Sequence, residues 1–177
     1  MSVYLSTVTE NDYEALDQLI YTSSERADRN GDNEVKRIIE LRQLPEYRYE
    51  LELAVKTKDG DIIGYGMLIE AQIEGASKTY SALAIGALIV AQDFRDKGVG
   101  AAIVNALEER AREAMYNTIL SVGYASYYET LGYESGIAHD IKPPKEVDAA
   151  AFGVKFLWES LSTYPEGQAV FPDVFFK

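Results

Sequence analysis

Cysteine is absent from the 177-residue chain. That excludes a disulfide framework, a thiolate metal site and a cysteine nucleophile, and no metal is expected. Histidine occurs once, at His139, the only side chain whose unperturbed pKa lies near neutrality. It precedes Pro143-Pro144 and reads as a surface position rather than a base. Cations are few: 17 Lys and Arg against 29 Asp and Glu leave a net charge of −12. General binding to nucleic acid or anionic membrane is disfavoured, because phosphate contacts supply most of that affinity. The same field would draw in a cationic substrate such as an amine, and it would equally serve solubility. No apolar run reaches the roughly 18 residues of a membrane span. The first ten residues lack a basic stretch followed by a long apolar one, so a cytoplasmic protein is expected.

What the chain has is an ordinary globular composition, 47% hydrophobic and 26% charged, read as one domain over residues 1–177. Its organising stretch runs from Ala84 to Glu108. A nearly unbroken apolar run, Ala82 to Ala91, has strand character. A polar turn follows from Gln92 to Lys97, and Gly98-Val99-Gly100 opens a helix. Backbone N–H groups at a helix start have no intrahelical partner, and that end carries about half a positive elementary charge. A phosphate or pyrophosphate suits such a place, glycine allows close approach, and Arg95 and Lys97 add two cations. A plain β–α connection with a solvated turn reads the same way. A dinucleotide fingerprint fits less well, since its third Gly would fall on Ile103, and the Walker spacing is missing.

In chain order, Val3–Val8 reads as a strand. Thr9 and Asp12 form a capping box, with Tyr13, Leu16, Leu19 and Ile20 on one helical face. Ser23–Asp32 is polar, with turn chemistry at Asn30-Gly31-Asp32. A second helix is predicted over Glu34–Leu41, stopped by Leu44-Pro45. Tyr49, Leu51, Leu53 and Val55 alternate with Glu50, Glu52 and Ala54, the pattern of a half-buried strand. A turn at Lys58–Asp61 leads to a strand over Ile62–Ile73, and Gly75–Lys78 turns into the central strand Thr79–Val90. The helix after the turn carries the stripe Val99, Ile103, Ala106, Leu107, Ala111, Ala114 and Met115, with Glu108, Glu109, Arg110, Arg112 and Glu113 turned to water. Thr118–Val122 completes a right-handed βαβ unit with parallel strands. Gly123–Tyr133 is a short helix closed by Gly132, His139–Asp148 a loop, Ala150–Glu159 β-rich, and Gln168–Phe171 a last strand able to pair with it.

Two of these stretches resemble motifs of the GNAT superfamily of acyl-CoA-dependent N-acyltransferases. One is Arg95-Asp-Lys-Gly98-Val-Gly100. The other is the aromatic pair ahead of a Gly-aromatic, Tyr127-Tyr128-Glu-Thr-Leu-Gly132-Tyr133. Val122-Gly123, Ile141-Lys-Pro-Pro and Ala151-Phe152 resemble the YhbS-like branch. The resemblance implies an α/β fold of order β-α-α-β-β-β-α-β-α-β-β, mostly antiparallel with one splayed parallel pair. It implies acetyl-CoA as co-substrate, with Leu88, Ile89 and Val90 beside the pantetheine arm and the amides of Arg95, Asp96, Lys97, Gly98, Val99, Gly100 and Ala101 on the pyrophosphate. Tyr128 aligns with the family's general acid and Tyr127 with its inward packing partner, although the two roles could be exchanged. Ser121 stands where many members carry an Asn that contacts pantetheine.

The resemblance supplies no base. Glu50, Glu52, Glu70 and Glu74 are candidates, each also readable as a solvated strand-face charge. The leading expectation is an N-acetyltransferase acting on a primary amine of a small molecule or peptide. A non-catalytic acyl-CoA sensor on the same fold is the alternative, and a nucleotide-binding Rossmann protein the third. Tyr21–Pro45 and Ile137–Ala150 would select the acceptor. The aromatic C-terminal residues Tyr164, Phe171, Phe175 and Phe176 hint at a homodimer contact.

Overall fold

The computed structural model describes residues 2–23 and 31–177. In order they form β1 (Val3–Thr7), α1 (Tyr13–Ser23), α2 (Gly31–Arg42), β2 (Glu52–Thr57), β3 (Ile62–Glu74), β4 (Thr79–Val90), α3 (Val99–Glu113), β5 (Thr118–Val122), α4 (Ala125–Thr130), β6 (Glu134–Ser135), β7 (Ile141–Lys142), β8 (Phe152–Phe156) and β9 (Gly167–Val170). The strands make one sheet in the order β1-β2-β3-β4-β5-β8-β6, with β9 beside β3 and β7 beside β9. Alternation along each strand points side chains to opposite faces. One face packs on Leu16, Leu19 and Ile20 of α1 and Val35, Ile38 and Leu41 of α2. The other packs on Val99, Ile103, Val104, Leu107 and Ala111 of α3.

The architecture is the mixed, mostly antiparallel one expected, and β4 and β5 have the bounds read from the sequence. They pair in parallel only at Leu83–Ile119 and Ala84–Leu120. Immediately beyond, the β3–β4 register skips Gly86: Leu68 pairs with Ile85, and Met67 with Ala87. Such a bulge bends the strand, so β4 leaves β5 while both continue. The bulge carbonyl of Gly86 is not orphaned, because buried Arg37 of α2 donates Nη2–H to it at 2.6 Å. Arg37 is held in turn by Glu34, 2.7 Å away.

Several expectations are corrected. Helix α2 starts at Gly31, so Gly31 and Asp32 lie in its first turn, while 24–30 of the expected polar turn lie outside the described residues. Tyr49–Leu51 is a 3-10 turn, and the strand begins at Glu52. Glu52 is fully buried, not a strand-face charge, and Tyr49 is exposed. On α3, Glu108 is buried, while Met115 lies past the helix end and on the surface. β9 pairs with β3 and, in a second parallel ladder, with β7 inside the expected loop, rather than with β8. Of the aromatic C-terminal residues, Phe171 and Phe175 are buried on the chain's own core, whereas Tyr164 is exposed.

Candidate active site

Gly98 takes φ +82°, the left-handed conformation that a residue without Cβ adopts most easily, and caps α3 with no side-chain hydrogen bond. Asp96, at φ +60°, is left-handed as well. Alternating backbone handedness gathers successive N–H groups into an anion-binding concavity. Among the described residues, no hydrogen bond within the protein uses the amides of Asp96, Lys97, Gly98, Val99, Gly100 or Ala101; the first helical bond here is Ala102 N–H to Gly98 O. Arg95 is the exception to the expected row, its amide closing a 3-10 turn on Gln92 O at 3.3 Å. The cradle is therefore six amides long, with exposed Arg95 and Lys97 beside it.

The strand end beside it is open on one edge. Ala91 N–H donates to Ile63 O at 2.8 Å. Antiparallel alternation therefore turns the backbone groups of Ile89 toward β3 and those of Leu88 and Val90 toward the side that β5 has left. Val90 O accepts from Arg95 Nε at 3.2 Å. Leu88, Ile89 and Val90 are half-buried. A cofactor arm could thus complete the ladder where β5 no longer does.

Short α4 closes the third side. It follows two left-handed residues, Gly123 (φ +78°) and Tyr124 (φ +47°), and a bulky residue held in that region is strained. The tyrosine pair divides differently from expectation. Tyr128 is the inward residue, 5% exposed and packed edge-on against Tyr133, while Tyr127 is 39% exposed. The Tyr127 hydroxyl lies over Gly100, where a Cβ at position 100 would overlap it. Burial raises the pKa of both phenols, Tyr128 more strongly, so both are protonated donors at neutral pH. Tyr128 and buried Ser121 line a cavity of about 380 Å³ beneath α4, with Tyr133, Phe152 and Gly153.

The carboxylates considered as bases lie elsewhere. Glu70 accepts from Tyr116 at 3.1 Å, in ladder register with Leu83, well back from Val90. Glu50 faces Arg48 at 3.5 Å, and Glu74 is exposed at the far end of β3. Glu52 accepts from Tyr65 at 2.6 Å and Tyr47 at 2.5 Å and pairs with Arg42 at 2.7 Å, so its oxygens are occupied. Burial first, and Glu52 second, hold the Tyr47 phenol protonated. His139 packs edge-on against Phe156, 3.6 Å from the Glu134 carboxylate. Among the described residues no cluster of three metal-ligating side chains forms, and no helix is long and apolar enough to cross a membrane.

The sequence profile of the acetyltransferase (GNAT) family matches residues 18–133. Among solved structures, the GNAT family N-acetyltransferase YhbS from Escherichia coli, in complex with CoA, superposes with a TM-score of 0.86 at 20% identity, covering 99% of this chain and 92% of that one. A GNAT family acetyltransferase from Brucella melitensis, in complex with acetyl-CoA, gives 0.75 at 16% identity, covering 98% of each chain. Among curated proteins none matches the sequence.

Proposed function

The chain belongs to the acetyltransferase (GNAT) family, and on that premise we propose that it moves an acetyl group from acetyl-CoA to a primary amine of a small molecule or peptide. The observation that carries the proposal is the row of six unpartnered amides from Asp96 to Ala101 at the N-terminus of α3. A diphosphate fits them in charge and in hydrogen-bonding sense. Acetyl-CoA supplies the activated thioester. The backbone edge of Leu88 and Val90 would align its arm, and Arg95 would release Val90 O to meet it. Tyr127, whose hydroxyl lies over Gly100, would stand beside the arm. Tyr128 is a protonated phenol able to donate to the departing thiolate while the amine's proton passes to water. Of the four carboxylates considered, none stands free beside the open strand edge, in keeping with direct attack by a neutral amine. We assign the residues described to a single domain.

Burial of Tyr128 and Ser121 in the Asn position favour one competing reading, a non-catalytic acyl-CoA sensor. One experiment separates them. Acetyl-CoA should raise the melting temperature, by about 2.7 kcal/mol of added stability at a hundredfold excess over Kd. A panel of amines should then release CoA in the wild type, and Tyr128→Phe should lose turnover while keeping the thermal shift. No shift refutes the cofactor; a shift without turnover on any amine establishes the sensor.

A further inference from the structure

Glu108 and Lys155 form an ion pair that the surface reading of α3 did not anticipate. Lys155 Nζ is 2.9 Å from Glu108 Oε1, and the two side chains are 23% and 4% exposed. The same ammonium donates to Leu131 O at 2.8 Å, the carbonyl of the residue that caps the C-terminus of α4. It also lies 5.7 Å from the centre of the Tyr133 ring. Glu108 Oε2 accepts from the Tyr133 hydroxyl at 3.1 Å. One cation on β8 therefore joins the two helices that border the candidate site. The contacts continue toward the amide cradle: Tyr133 packs edge-on against Tyr128 and Tyr128 against Tyr127, each at 5.5 Å, and Tyr127 reaches Gly100 at the start of α3.

We propose that Lys155 is a positioning residue, which fixes the Tyr127–Tyr128 pair against the amide cradle by holding Glu108 of α3 and the Leu131 carbonyl of α4 at once. It rests on the acetyl-transfer reading for its consequence in turnover, not for its geometry. Burial alone gives no reason for an ion pair here, since apolar replacements of buried pairs are often as stable. An ammonium has directed donors, and these tie the carbonyl at the end of α4 to Glu108, the carboxylate that accepts from the Tyr133 hydroxyl. α4 has only six residues, too few to hold its place without tertiary contacts.

The test uses full-length protein labelled at tyrosine Cζ with ¹³C, the resonances of Tyr127 and Tyr128 being assigned through their Phe variants. In ligand-free protein, Lys155→Met should move both resonances. With acetyl-CoA and an acceptor it should lower kcat about ten- to a hundredfold, as a displacement of the order of 1 Å does, and change the KM for acetyl-CoA far less, because the amide cradle is untouched and only Tyr127 beside it moves. Lys155→Arg, which keeps directed donors, should restore both. If Lys155→Met does not fold, Glu108→Gln removes the ion pair while keeping a hydrogen-bonding side chain, and the same shifts are expected. A fall in melting temperature with unmoved resonances and unchanged kcat would overturn the proposal. Resonances that move in a protein whose wild type transfers no acetyl group would uphold the positioning and refute the acetyl-transfer reading.

Discussion

Gly98 shows how little a single residue needs to contribute to matter. A Cβ there would meet no atom within 4 Å, so an alanine fits in space, and only the left-handed backbone resists it. That costs about 1–2 kcal/mol, which relaxation of the turn would relieve at the expense of the amide directions. Gly98→Ala should therefore weaken acetyl-CoA binding severalfold by calorimetry while lowering folding stability by no more than that strain; unchanged affinity would mean that the row of N–H groups is not the binding element. The glycine-flanked helix start at 98–100, with its unpartnered amides, was legible from the sequence. Which tyrosine of the pair lies inward was not, because adjacent residues on a helix point about 100° apart and only the packing of α4 selects between them.

At the scale of elements, the corner between β1 and α1 is fastened by local chemistry. Asp12 accepts from the Thr9 amide at 2.9 Å and from Lys56 Nζ at 2.8 Å. Burial alone would raise its pKa, but the Lys56 ammonium and the Thr9 N–H outweigh it and hold the carboxyl below its ordinary 3.8. A lowered folded-state pKa favours the native state above 3.8, and the advantage disappears as pH falls through the folded value. Unfolding of wild type and Asp12→Asn by urea should accordingly differ at neutral pH and converge below 3.8; a gap that persists in acid would remove the ion pair as its cause. The capping box was visible from spacing alone, since its partners are three residues apart. Lys56, across the sheet, was not.

For the whole molecule, a buried polar cluster inside the α1/α2 face bears on stability. Glu52 has no exposed surface and is surrounded by Arg42, Tyr47 and Tyr65, with the Arg42 guanidinium 4.0 Å above the Tyr13 ring. Removing one partner of a buried pair costs about 3–5 kcal/mol, a large share of the 5–15 kcal/mol that typically holds a fold. Arg42→Met should lose about that much in denaturant unfolding, and adding Glu52→Leu should recover part of it; an additive double variant would show that the two charges are not coupled. Strand periods, turn glycines, helix stripes and the amide cradle were determined by the sequence itself, because each depends on residues close along the chain. The tertiary structure alone decided that Glu52 and Glu108 lie inside, that Gly86 bulges onto Arg37 and parts β4 from β5, and that β9 returns to β3. Those outcomes depend on partners far apart along the chain, and an acidic residue in a strand or helix looks the same to its neighbours whether water or an arginine lies opposite.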